Sequence, residues 1–101
     1  MLTLPIKKKW FDMIKSGEKK EEYREIKPYY TSRFDFKDDG NFKTYASKRQ
    51  IILRNGYSKN SPSTLCEVVI KKGYGRQCWG AEPNKLYYVL KILSVEKIGS
   101  E

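Results

Sequence analysis

The apolar residues near the start of the chain recur at a helical spacing, and those of its second half alternate. After "LTL", a short β-prone stretch at Leu2–Leu4, Pro5 suits the first turn of a helix. Ile6, Trp10, Met13 and Ile14 then share one face, with Lys8, Lys9, Asp12 and Lys15 elsewhere. This spacing predicts a short amphipathic helix over Ile6–Ser16, with Gly17 as its C-cap. "RQIILRN" reads as a buried strand. "TLCEVVIKKGYG" reads as a second, with Leu65, Val68 and Ile70 inside, and "KLYYVLKILSVEKI" as a long final strand, Lys85–Ile98. "GYSKNSPS" is the turn and "RQCWGAEPN" the loop between them. "DFKDDGNFKTYASK", residues 35–48, has no period and carries an Asp-Asp-Gly turn signal, which predicts a long, mobile loop.

One segment fits neither period well. "KKEEYREI" reads as a strand, Lys19–Ile26, whose faces would be Glu22, Arg24 and Ile26 on one side and Glu21, Tyr23 and Glu25 on the other. Neither face is apolar, so the strand is either an edge or the wall of a polar pocket. Pro28 ends it, and "PYYTSRF" can form a helical turn. One early helix followed by strands without helices between them predicts a small α+β fold. The economical form is a mainly antiparallel β-barrel of about five or six strands with one or two short helices.

Composition narrows the chemistry. A chain of 101 residues is expected to be one domain with one modest core. The net charge of +9 attracts polyanions, of which nucleic acid is the commonest, although small basic proteins can also carry such charge for solubility. Histidine is absent and cysteine occurs twice, at Cys66 and Cys78. That excludes a Ser-His or Cys-His catalytic pair and the usual Cys/His zinc sites. No metal or cofactor is implied. No apolar stretch reaches the ~18 residues of a membrane span, and the start lacks the pattern of a signal peptide. The expectation is a cytoplasmic protein that does not engage a membrane.

Gly17, Lys19, Glu22 and Arg24 fit the pattern G-x-K-x-x-E-x-R, placed after a short helix and at the start of a strand. With "LTLPIKKKWFDMI" before it, "ILRNGY" in the middle and "WGAEPN" before the last strand, the chain resembles the ASCH family, in particular its small bacterial and phage-type members. The resemblance covers nearly the whole chain. It implies a PUA-like β-barrel with a cleft that binds RNA or nucleosides. Some small members are amidohydrolases that remove the acetyl group from cytidine acetylated on its exocyclic amine. Their motif lysine is catalytic, and a threonine stands where this chain has Glu22.

Each candidate residue has two readings. Lys19 is a pocket cation or base, or a solvated lysine in a charged run. Glu22 and Arg24 are a carboxylate-held guanidinium facing a ligand, or an ion pair closing the barrel. Arg54, Asn55 and Tyr57 supply fork, amide and ring to a nucleotide, or flank an ordinary Asn-Gly turn. Trp79 stacks on a base or plugs the barrel end, whereas Trp10 belongs to the core. The function expected is RNA or nucleoside binding, in a cleft floored by Lys19, Glu22 and Arg24 and rimmed by Arg54, Asn55, Tyr57 and Trp79. Two alternatives stand beside it. One is hydrolysis of an acylated nucleoside by Lys19 with Glu22 or Glu67. The other is a protein-interaction module using residues 35–48. Because the step from Lys19 to Glu22 is odd, a shared pocket requires Lys19 to sit in the turn, or a bulge between the two.

Overall fold

The two longest alternating stretches form the centre of a curled five-stranded sheet in the computed structural model, which describes residues 1–34 and 48–98. β4 (Ser63–Tyr74) and β5 (Leu86–Ile98) pair antiparallel along their lengths. β3 (Arg49–Arg54) pairs antiparallel with β4, and β2 (Glu21–Glu25) antiparallel with β5. β1 (Leu2–Pro5) lies parallel to β3, which gives the order β1-β3-β4-β5-β2. The sheet is therefore mixed, antiparallel in three pairings and parallel in one, and it forms a half-barrel. Two helices, α1 (Lys8–Ser16) and α2 (Pro28–Phe34), lie in the long connection from β1 to β3, and such a connection permits parallel pairing. The expected loop over residues 35–48 lies, apart from Lys48, outside the described residues.

The core fills the concave side. Leu4, Ile51, Leu53, Cys66, Val68, Ile70, Tyr88 and Leu90 project from the sheet, and Phe11, Ile14 and Phe34 come from the helices. Burying each large apolar side chain stabilises the fold by about 1.5–3 kcal/mol. The helix starts two residues later than its apolar spacing suggested. Ile6 precedes it but is still buried, and Phe11 joins Ile14 on the buried face. Gly17 ends α1 in the left-handed region at φ 86°, as the sequence indicated, with its N–H donating to the Ile14 carbonyl at 3.1 Å. Leu65 is not inside. The inward register of β4 is Thr64, Cys66, Val68 and Ile70, and the Thr64 hydroxyl is satisfied by the Glu96 carbonyl at 2.9 Å. Pairing shifts between Glu67 and Val68, which leaves Leu93 of β5 without an opposite residue. The register on β5 thus passes from Tyr88, Leu90 and Ile92 to Val95, which is exposed.

α2 is more than the single turn expected. Phe34 at its end is fully buried, stacked on Tyr30 at 5.6 Å and edge-on to Tyr88 at 5.3 Å. Thr31 and Tyr88 join hydroxyls at 2.6 Å. Among the described residues no helix is long and apolar enough to cross a membrane, and both cysteines are free thiols.

Candidate functional site

The site forms where β2, an outer strand of the sheet, meets the turn after α1. β2 begins at Glu21, so Lys19 belongs to the turn and not to the strand. That satisfies the geometric condition set by the odd step to Glu22. The Lys19 N–H donates to the Met13 carbonyl at 2.9 Å, which folds the chain back on α1. The side chain then runs inward and is 1% exposed. Its ammonium lies 3.3 Å from Glu22 Oε1 and donates to the Trp79 carbonyl, with the Trp10 and Tyr23 rings 5.0 and 4.8 Å away. Lys20, its neighbour, is exposed.

Glu22 and Arg24 are two apart on β2 and share a face. They pair in register with Leu90 and Tyr88, both core residues, so this face looks into the half-barrel. Arg24 donates from Nε and Nη2 to Glu22 Oε2, at 3.0 and 2.7 Å. Its Nη2 also donates to the Pro5 carbonyl at 2.8 Å, and its Nη1 to the Tyr30 hydroxyl at 3.2 Å. Both carboxylate oxygens of Glu22 thus face cations: Oε1 faces Lys19 and Oε2 faces Arg24. Desolvation lowers the Lys19 pKa below its ordinary value, and Glu22 opposes the shift. The amine is therefore a weaker base than a surface lysine, and its carboxylate partner holds it in place.

Above this cluster opens a cleft of about 550 Å³. Glu22 and Arg24 line it from the inner face, and Tyr23 and Tyr87 from the other face of the same edge, with Trp10 and Tyr30 from the helices. Tyr23 and Tyr87 pack together at 5.7 Å. The Tyr23 hydroxyl donates to Glu21 and accepts from the Arg76 N–H, and desolvation raises its pKa. At the mouth, Lys85 pairs with Glu82 at 3.2 Å and Glu25 at 3.8 Å. Gly80 closes one side at φ 102°. A Cβ there would sit 3.0 Å from the Trp10 ring, so only glycine lets the Trp79–Gly80 backbone reach both the ring and the Lys19 ammonium.

The structure divides the residues named from sequence. Lys19, Glu22 and Arg24 come together, but Lys19 lies behind the cleft rather than on its wall. Asn55 and Tyr57 line a separate depression of about 350 Å³ with Pro5, Ile6, Lys7 and Gly56. The Asn55 amide donates to the Ile6 carbonyl, and Arg54 to the Ser63 hydroxyl. Trp79 contributes its carbonyl, while its ring lies 4.9 Å from the Arg76 guanidinium and does not line the cleft. Glu67 is on β4, 3.7 Å from Lys48, and takes no part. Sequence reasoning assigned Trp10 to the core alone and missed Tyr23, Tyr30 and Tyr87 as walls. The one available signal was the aromatic content of the segments flanking the motif. Among the described residues no group of three or more acidic or cysteine side chains could hold a metal ion.

No family model, curated protein or solved structure matches the chain.

Proposed function

We propose that this protein is an ASCH-type, PUA-like domain that binds RNA or a nucleoside in the cleft over Glu22 and Arg24. The observation that carries the reading is a buried carboxylate, clamped between two cations, on the floor of an aromatic-walled cleft of about 550 Å³. That volume suits a nucleoside-sized ligand. Tyr23, Tyr30, Tyr87 and Trp10 offer faces on which a base can stack. Glu22 is fixed in orientation and accepts hydrogen bonds only, so it selects a base edge that presents N–H donors. The net charge of +9 supports a polyanionic partner. The curled sheet, the single helix before the motif and the motif itself support the family assignment, and a cytoplasmic setting accords with two free thiols.

Hydrolysis of an acylated nucleoside is a second reading, favoured by one observation: the lowered pKa of Lys19 beside Glu22. It requires the Trp79–Gly80 backbone to move, because the amine is sealed beneath it. Calorimetric titration with nucleosides and with a short RNA, at low and at physiological salt, tests the binding reading. RNA affinity is expected to fall with salt by close to one unit of log–log slope per phosphate contacted. Absence of binding to nucleosides and RNA alike at low salt overturns it. Turnover of acetylated cytidine, lost in Lys19→Met, would establish the hydrolase instead.

A further inference from the structure

The cleft over Glu22 is not isolated. The second depression, of about 350 Å³, adjoins it across the segment Pro5–Lys7, and Pro5, Ile6 and Lys7 line both. This segment is a fixed ridge. Arg24 donates to the Pro5 carbonyl from the cleft side, Asn55 donates to the Ile6 carbonyl from the other side, and the Ile6 N–H donates to the Arg54 carbonyl at 3.0 Å. Its backbone groups are engaged from both flanks, so a ligand can lie across it without having to satisfy them. Three residues of extended chain span at most ~10 Å, so the ridge between the two depressions is short. Lys7 is exposed on the crest, where a bridging phosphate would pass.

The far depression also holds an aromatic ring that folding leaves in water. Tyr57 is 94% exposed, the most exposed large hydrophobic residue among the described residues, and follows Gly56 at φ 129°. A Cβ on Gly56 would come within 2.3 Å of the Ser61 hydroxyl oxygen, so the turn that presents Tyr57 depends on glycine. An aromatic ring held in solvent beside a concave surface has no packing role in the described fold.

We infer that the protein's ligand is a single-stranded polynucleotide rather than a free nucleoside, with one base in the cleft over Glu22, its phosphate over Lys7, and the next base stacked on Tyr57. This deepens the binding reading above and rests on it. The positive charge of the ridge and its continuity with the cleft favour a nucleotide chain over an uncharged extension of the ligand.

The test compares oligo-A, oligo-C and oligo-U RNA with the corresponding mononucleotides, by calorimetry, on the wild type, Tyr57→Ala and Lys7→Gln. The best-bound oligomer is expected to bind at least about 10-fold more tightly than its mononucleotide. Tyr57→Ala should weaken the oligomer by about 5- to 160-fold, the range of a lost base–aromatic stack, and leave the mononucleotide unchanged. Because Tyr57 is exposed, the variant folds. Lys7→Gln should lower the salt slope of oligomer binding by about one. Equal affinity for oligomer and mononucleotide, or equal loss of both in Tyr57→Ala, overturns the extended track while leaving the nucleoside cleft standing. Binding of neither overturns the cleft and the track together.

Discussion

The Arg24 guanidinium and the Pro5 carbonyl, 2.8 Å apart, join the two outermost strands of the sheet. β1 and β2 stand at opposite ends of the strand order, yet the curl brings them within one hydrogen bond. The same guanidinium holds Glu22 and the Tyr30 hydroxyl, so one side chain closes the half-barrel and shapes the cleft. The two readings of the Glu22–Arg24 pair are therefore compatible.

Arg24→Lys keeps the charge but loses the fork that reaches three partners at once. A lysine, with its donors on a single nitrogen, cannot reach all three at once. The expected loss of stability is about 1–3 kcal/mol. Amide exchange should accelerate in β1 and β2 more than in β4, which lies inside the sheet. Measuring both exchange and the urea midpoint checks this, and uniform exchange would show that the bridge does not tie the outer strands.

Were Lys19 a solvated lysine in a charged run, Lys19→Ala would cost little stability. Burial reverses that expectation. The ammonium is 1% exposed between two rings and a carboxylate, so its removal leaves a cavity and takes one of two cations from Glu22. A loss of about 2–4 kcal/mol follows. Lys20→Ala, one residue on and exposed, should stay within about 0.5 kcal/mol of wild type. Chemical denaturation of the two variants distinguishes them, and similar midpoints would contradict the buried placement.

Much of this was legible locally. The helix, its glycine cap and the three later strands follow from period and turn residues alone. The motif located Glu22 and Arg24, and parity showed that a shared pocket needed Lys19 in the turn or a bulge before Glu22. Leu65 was misplaced because hydropathy ranks it above Thr64, whereas register puts Thr64 inside. The walls of the cleft were illegible for a different reason. Trp10 on α1 and Tyr87 on β5 are far apart in the sequence, and Tyr23 lies on the opposite face of β2 from Glu22. They share one space only because the cleft wraps around an outer strand, and no local period records that.

Cys66, buried in the core, gives a pH dependence to which the Glu22 carboxylate also contributes. Burial pushes its thiol from the ordinary 9.0 up to about 11. In the unfolded chain the thiol ionises near 9, while the folded chain keeps its proton. The unfolded state therefore binds fewer protons in that window, and stability falls as pH rises from 9 towards 11. Between pH 8 and pH 10.5 this group alone should remove about 2 kcal/mol. Tyr23, whose pKa is also raised by burial, adds a further loss above pH 10. Urea denaturation of the wild type and Cys66→Ala across this range should give a shallower decline in the variant. Parallel declines would mean that the thiol ionises freely in the fold.

The central claim is that the cleft over Glu22 takes a nucleobase. The most direct measurement is titration of isotope-labelled protein with adenosine, cytidine, guanosine and uridine, followed by backbone amide shifts. For at least one nucleoside the account predicts saturable shifts at Glu22, Tyr23, Arg24, Gly80 and Tyr87, with Leu93 and Glu96 unmoved. Shifts confined to residues outside the cleft, or none with any nucleoside, would contradict it.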